Sequence, residues 1–120
     1  MTSLEPRRTG LDGIATSLLA SADTILAANL LDMSAAQTRG LSAAMLDRLK
    51  LDEGRIQSMA MSVQSIARQS DPIGHTLEEW SRPNGLTLRK VSVPIGVIGM
   101  IYESRPNVTV DAAALCILSG

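Results

Sequence analysis

Polar side chains crowd the end of an apolar run in the last quarter of the chain, at Glu103, Ser104, Arg105 and Asn107. The run itself, Val97–Ile101, is rich in β-branched residues and has no polar alternation, which is typical of a strand buried on both faces. Tyr102 begins the polar turn, and an Ala-rich helical segment follows from about Val108. A strand, a polar turn and a helix make the first half of a βαβ unit, and open α/β sheets bind ligands at the carboxyl ends of such strands. The turn is therefore the candidate functional site.

The same residues also suit an ordinary connection between a strand and a helix. Asn107 or Thr109 is a suitable amino-terminal cap, and Asp111 would complement the positive end of the helix. Arg105 is suited to bind a phosphate group, because its planar guanidinium matches phosphate geometry. An ion pair of Arg105 with Glu103 or Asp111 explains that residue equally well, so the residue types leave both interpretations open.

Other reactive side chains lack the partners that chemistry requires. Cys116 lies in an apolar helical run with no adjacent base, which predicts a small buried hydrophobic residue. His75 has no cysteine or second histidine at ligand spacing, so no metal site is predicted. Glu78 and Glu79 are interpreted as a solvated face, and Trp80 as covering an edge of the core or a subunit contact.

The composition limits the class of protein. A chain of 120 residues forms one domain or part of one. Its 11 basic and 12 acidic residues balance, which argues against nucleic acid or a membrane surface as a partner. A single cysteine forms no internal disulfide. The first ten residues lack the apolar stretch of a signal peptide, and the run 93–102 is too short to cross a bilayer. These features predict a cytoplasmic protein.

The first part of the chain, residues 11–71, is predicted to be helical. Residues 1–10 are polar and contain a proline and a glycine, which predicts a disordered lead-in. Apolar residues at spacings of three and four then predict a helix from Leu11 to about Asn29, with a short continuation stopped by Gly40.

Two further helices have recognisable caps. Ser42 is predicted to cap a short helix over 43–49, and Asp52 to cap the next. Four apolar residues should line one face of that second helix: Ile56, Met59, Val63 and Ile66. The last part, residues 84–120, should form the sheet and the first βα unit. It begins with the turn pair Asn84-Gly85 and a strand over Leu86–Val93.

Three separate blocks carry a resemblance to a known family. They read GLSAAMLDRLKLDEGRI, DPIG with RPNGLTLRKVSVP, and VPIGVIGMIYESRPNVTVDAAALCILSG. Over about Leu11–Gly120 the chain resembles the gamma-glutamyl phosphate reductase family of the aldehyde dehydrogenase superfamily. Members of that family are several times longer, so the resemblance implies an amino-terminal fragment.

The resemblance implies an α/β fold: amino-terminal helices followed by the first strands and helix of an aldehyde dehydrogenase-like, Rossmann-like NAD(P)-binding domain. Residues 11–120 would be part of that domain. The implied activity is NADPH-dependent reduction of L-glutamyl 5-phosphate to L-glutamate 5-semialdehyde, with release of phosphate, in proline biosynthesis. The fragment alone should be inactive, and the alternative is a non-catalytic structural or oligomerisation fragment.

The resemblance also implies site residues and partners. NADP would contact Tyr102, Glu103, Ser104 and Arg105, although Gly96 and Gly99 do not complete the usual dinucleotide fingerprint. The full-length protein should be a homo-oligomer, with its subunit-spanning sheet built partly by the strand at 86–93 and with glutamate 5-kinase as a partner.

In the superfamily an asparagine in this turn donates a hydrogen bond to the oxyanion of acyl transfer, a contribution of ~3 kcal/mol. Here Asn107 lies two places beyond the family position, where this chain has Arg105. The donor is therefore Asn107, a backbone amide, or neither. The family's catalytic thiolate lies beyond residue 120, so the resemblance excludes Cys116 from that role.

Overall fold

The computed structural model describes residues 3–120 and is mostly helical. It contains, in chain order, α1 (Leu4–Ala20), α2 (Ala22–Thr38), α3 (Ala43–Leu49), α4 (Glu53–Ala67), β1 (Thr76–Ser81), β2 (Thr87–Val91) and α5 (Pro106–Leu118). The two strands form one antiparallel hairpin. The molecule is elongated, with extents of 70 × 29 × 19 Å.

The amino-terminal segment differs from the prediction of a disordered lead-in over 1–10. Met1 and Thr2 lie outside the described residues, but α1 already begins at Leu4. Pro6 is tolerated because a first-turn residue needs no backbone N–H for the helix. Arg7 is 6% exposed and pairs with Asp71 at 2.7 Å between Nη2 and Oδ2. It also donates to the backbone carbonyl of Leu118. These distant partners order the segment, and sequence spacing does not reveal them.

The predicted long first helix is in fact two helices. Helices α1 and α2 meet at Ser21 with a bend of 68°. The backbone N–H of Ser21 donates to Ser17 and its carbonyl accepts from Ile25, so hydrogen bonding continues through the bend. Within residues 3–120, no single helix is long and apolar enough to cross a membrane, and α1 with α2 meets that criterion only as a bent pair. Gly40 ends α2 with a φ of 73°, as predicted.

Helices α1, α4 and α5 pack around one core. Small and branched side chains fill it: Leu11 and Ala15 from α1, Ala60, Val63, Ile66 and Ala67 from α4, and Ala114 and Leu118 from α5. The apolar face predicted for α4 is buried, which confirms that prediction. Both predicted caps also form: Ser42 accepts from the Met45 N–H at 3.4 Å, and Asp52 accepts from the Arg55 N–H at 2.8 Å.

The hairpin contains a strand that the sequence did not indicate. β2 lies within the predicted range 86–93, but its partner β1 covers the segment interpreted as a solvated face. Every residue of β1 is exposed. Its carboxylates are paired across the hairpin, Glu79 with Arg89 at 2.6 Å and Glu78 with Lys90 at 2.9 Å. Gly85 adopts a φ of 84° in the turn between the strands.

The buried strand predicted over Val97–Ile101 is not formed. Residues 92–105 have no strand assignment, and both Val97 and Ile101 are fully exposed. A strand needs a hydrogen-bonded neighbour, and among residues 3–120 the two strands pair only with each other. The predicted parallel α/β sheet is therefore absent from the described part of the chain, which is helical with one hairpin.

Candidate functional site

The turn before α5 has an unusual backbone. Ser104 has a φ of 50°, in the left-handed region that residues with a side chain seldom adopt. Arg105 is the residue at the cap position, with no side-chain cap hydrogen bond, and Pro106 follows at the start of the helix. The prediction that Asn107 or Thr109 caps this helix is therefore wrong, because α5 begins before both. Strained residues of this kind concentrate at ligand sites.

The side chain of Tyr102 holds the turn against α5. Its hydroxyl lies 2.5 Å from the Thr109 hydroxyl oxygen. Thr109 therefore serves as an anchor for the turn and not as a cap. The contact ties the start of the turn to the first turn of the helix.

Two adjoining cavities surround the turn. The first, of about 500 Å³, lies between the α3–α4 connection, α4 and the start of α5. It is lined by Asp47, Arg48, Lys50, Leu51, Arg55, Ser58, Met59, Ser62, Arg105, Pro106, Asn107 and Asp111. The second, of about 400 Å³, is lined by Met45, Arg48, Tyr102, Glu103, Ser104, Arg105 and Val108. Arg48 and Arg105 line both.

Each predicted site residue lines one of these cavities. Asn107 lines the first, and Tyr102, Glu103 and Ser104 line the second, while Arg105 lies between the two. The structure thus brings the five predicted residues to one connected surface. It assigns them no ligand.

The first cavity carries more positive than negative charge. Four cations and two carboxylates line it. Arg55 is already engaged, donating to Asp47 Oδ1 at 2.9 Å and to the Lys50 carbonyl at 2.6 Å. Among residues 3–120, three cationic side chains of this cavity make no hydrogen bond or ion pair: Arg48, Lys50 and Arg105. The alternative of an ion pair from Arg105 to Glu103 or Asp111 is therefore not realised, and the cavity suits an anion.

Asp111 belongs to the wall of this cavity and not to the first turn of α5. The helix has no acidic residue in its first turn. The Asp111 carboxylate instead accepts from Ser62 Oγ at 2.9 Å and from Asn107 Nδ2 at 3.5 Å. The prediction that it complements the helix end is therefore wrong.

A buried asparagine positions the opposite wall. Asn29 of α2 donates to the Leu49 carbonyl at 2.9 Å and accepts from the Leu51 N–H at 2.8 Å. Its side-chain amide thus makes the pair of hydrogen bonds with the α3–α4 connection that a neighbouring strand would make. This connection carries Lys50, so α2 sets where that cation lies.

Sequence reasoning missed the cationic wall. Arg48 and Lys50 stand in a short charged stretch interrupted by Leu49, more than 50 residues before the turn that they face. Their one sequence signal is their place at the end of a well-capped short helix, Arg48 in its last turn and Lys50 at its carboxyl-terminal cap. Tertiary packing of α3 and α4 against α5 brings them to the site.

The remaining reactive groups stay outside the site. Cys116 is half-buried, less than predicted, beside a cavity of about 290 Å³ lined mainly by apolar residues. Trp80 is partly exposed on β1. Within residues 3–120, no three His, Cys, Asp or Glu side chains come together as metal ligands.

The fold corresponds to one part of a reductase subunit. A crystal structure of gamma-glutamyl phosphate reductase from Thermotoga maritima matches 98% of this chain with a TM-score of 0.91 and 37% identity. The enzyme from Saccharomyces cerevisiae matches 98% with a TM-score of 0.88 and 36% identity. The chain covers 28% and 30% of those two structures.

Sequence comparison gives the same assignment. The gamma-glutamyl phosphate reductase of Bartonella tribocorum is 52% identical over 120 residues, which is all of this chain and 29% of the relative. That of Paramagnetospirillum magneticum is 59% identical over 96 residues, 80% of this chain and 23% of the relative. No protein-family model matches the chain. The chain is a homologue of gamma-glutamyl phosphate reductase and spans less than a third of the length of these relatives.

Proposed function

We propose that this chain acts as part of a longer, cytoplasmic, NADPH-dependent reductase that converts L-glutamyl 5-phosphate to L-glutamate 5-semialdehyde and releases phosphate in proline biosynthesis. Homology to gamma-glutamyl phosphate reductase over the whole chain supports the reaction class. The observation that carries the proposal is the cationic cavity beside Asn107, because an acyl phosphate brings a dianionic group and a reactive carbonyl to the same place.

In this proposal Asn107 donates to the oxyanion that forms when the γ-carbonyl is attacked. Its side-chain amide is exposed at the cavity and makes one long contact, 3.5 Å to Asp111 Oδ2. A donor held weakly in the free protein can turn to the developing charge, where hydrogen bonds of this kind have their largest effect. The attacking nucleophile is assigned to the part of the reductase beyond this chain.

Arg105 is proposed to bind a phosphate group between the two cavities. It has no ionic partner within residues 3–120 and faces both spaces. The second cavity suits NADPH, since Tyr102 offers an aromatic surface and Arg48 and Arg105 offer positive charge. Glu103 and Ser104 complete the proposed contact surface. When bound, NADPH supplies the hydride for reduction.

The exposed hairpin is the proposed subunit contact of a homo-oligomer. It presents large apolar side chains, Leu77 and Trp80, to solvent. The family resemblance further suggests association with a glutamate 5-kinase, which would make the labile acyl phosphate. A purely structural or oligomerisation fragment remains the second candidate, and the same exposed hairpin favours it.

The test uses a chimera in which residues 1–120 replace the matching segment of the Bartonella tribocorum enzyme. We expect NADPH oxidation with glutamyl phosphate generated in situ by the chimera and none by the 120-residue chain alone. Turnover by the chain alone would contradict its assignment as one part of the enzyme. An inactive chimera that folds normally would favour the structural candidate.

Within the chimera, Asn107→Ala should lower kcat and kcat/KM together by ~10²–10³-fold, because the hydrogen bond strengthens as the carbonyl oxygen becomes an oxyanion. Its stability should change little, since Asn107 is not the cap of α5. Asn107→Asp should also lose turnover, because it replaces the donor with an acceptor. Gln57→Ala removes an amide from an exposed position of α4 and is the control. Near-normal turnover in both Asn107 variants would remove this residue from the active site.

A further inference from the structure

The wall that carries Asn107 also carries a carboxylate one helical turn later. Asp111 lies on the same face of α5, and both residues line the first cavity. Four residues along an α-helix correspond to a rise of ~6 Å. The two polar groups therefore form a short ladder along the cavity wall.

The Asp111 carboxylate has unused acceptor capacity. A carboxylate has about four lone-pair sites for hydrogen bonds. Ser62 occupies one at 2.9 Å, and Asn107 makes a weak contact at 3.5 Å. Within residues 3–120 it has no cationic partner, although four cations line the same cavity. A carboxylate that its own cations leave unpaired is available to a cation on the ligand.

The bond to Ser62 fixes the direction of this carboxylate. Ser62 lies on α4 and Asp111 on α5, so their hydrogen bond crosses the interface between the two helices. Both helices contribute to the buried core, which holds the pair in place. The remaining acceptor sites are thus presented by a rigid part of the protein.

The proposed substrate carries the complementary groups. In a γ-glutamyl phosphate the reacting carbonyl and the α-ammonium are separated by three carbon atoms. With the carbonyl oxygen at Asn107, the ammonium falls about one helical turn away, at the height of Asp111. The α-carboxylate next to it can then face Lys50 and Arg48 on the opposite wall.

We propose that Asp111 binds the α-ammonium of the substrate and selects an α-amino acid, with Ser62 as a positioning residue. This inference rests on the proposed function and adds the determinant of its substrate specificity. A carboxylate that only joins α4 to α5 would affect all substrates alike. The two interpretations therefore differ in substrate dependence.

The test uses the chimera and measures the reverse reaction. In this direction an aldehyde, phosphate and NADP⁺ give an acyl phosphate, NADPH and a proton. L-Glutamate 5-semialdehyde is compared with 5-oxopentanoate, which lacks only the amino group. Asp111→Asn keeps an oxygen that accepts from Ser62 and removes the charge. We expect it to lower kcat/KM for the amino substrate about 10- to 100-fold, through KM, and to leave 5-oxopentanoate almost unchanged.

Three further variants complete the test. Ser62→Ala should reduce the preference for the amino substrate by less than Asp111→Asn, and Ser62→Thr should restore it. Asp32→Asn makes the same charge change on an exposed position of α2 and should preserve the preference.

Equal losses on both substrates in Asp111→Asn, with an unchanged melting temperature, would overturn the assignment and leave the proposed function intact. A folded wild-type chimera inactive with both substrates would overturn the proposed function and this inference with it.

Discussion

Two apolar regions of this molecule have opposite surroundings. In the helical body, formed by α1, α4 and α5, Leu11 and Val63 are 0% exposed. In the segment 93–101, equally apolar residues face solvent, with Val97 and Ile101 at 105% and 104% exposure. Composition alone would assign both regions to the core. The difference shows that burial depends on the neighbours that a segment finds.

The two regions differ in how their backbones satisfy hydrogen bonds. A helix makes these bonds within itself, so α1, α4 and α5 need only side-chain packing to form a core. A strand needs a second strand beside it. Residues 93–101 find none among residues 3–120, and the relatives are more than three times as long as this chain. We infer that the remainder of a family-length protein covers this segment.

The largest expected effect lies in the helical body. Leu11→Ala removes a fully buried side chain from the contact of α1 with α4 and α5. We expect a loss of ~2–5 kcal/mol in the free energy of unfolding, measured by urea denaturation of the chain. Leu30→Ala, at a site 71% exposed, should change it by less than ~0.5 kcal/mol. Equal effects of the two changes would mean that the helical body is not a packed core.

A smaller effect is expected at the ion pair between Arg7 of α1 and Asp71 in the segment that follows α4. The hydrogen bond from Arg7 lowers the pKa of Asp71 below its ordinary value of 3.8, and the Ile73 N–H at 3.0 Å adds to this. A lowered pKa in the folded state stabilises the fold above pH 3.8, and this stabilisation is lost as the pH falls through the folded-state value.

Asp71→Asn should therefore destabilise the chain at pH 7, and the difference from the wild type should shrink as the pH falls below 3.8. Urea midpoints measured from pH 7 to pH 3 test this. Asp32→Asn, on the exposed surface of α2, should give a difference that does not follow this pattern. A destabilisation by Asp71→Asn that is independent of pH would rule out the ion pair as its source.

The smallest effect on stability is expected in the exposed segment 93–101. Val97→Lys with Ile101→Lys should change the free energy of unfolding by less than ~0.5 kcal/mol, because both side chains are already in solvent. The same pair should reduce self-association of the isolated chain, since lysine blocks edge-to-edge pairing of apolar strands. Sedimentation velocity measures this. A wild-type chain that stays monomeric would show that the exposed segment is tolerated without a partner.

The sequence predicted the local features of the fold and missed those that depend on distant contacts. Ser42, Asp52 and Gly40 act through neighbouring residues, so their positions predicted where helices begin and end. The order of α1 depends instead on Arg7 and its partners, which lie 64 and 111 residues away. The spacing of apolar residues along the chain does not reveal such contacts.

The candidate site likewise has one part that the local sequence predicts and another that depends on distant contacts. The turn at Tyr102–Asn107 was predicted because its polar residues interrupt an apolar stretch of sequence. The placement of Arg48 and Lys50 and the Ser62–Asp111 bond depend on packing between helices, which leaves no spacing pattern in the sequence. The prediction of a buried strand over Val97–Ile101 was wrong for another reason. The pattern of these residues is that of a strand, but the neighbouring strands that it requires are not among the described residues.

The contact between Arg7 and the Leu118 carbonyl has a consequence for the order of folding during synthesis. It joins residues 111 positions apart, so it cannot form until Leu118 has left the ribosome. The packing of α1 on α4 needs a much shorter stretch and can form earlier. Of the three helices of the helical body, α5 is therefore expected to dock last, onto α1 and α4 already in contact. Until then the groove that receives Ala114 and Leu118 stays open, and its apolar lining is exposed to solvent.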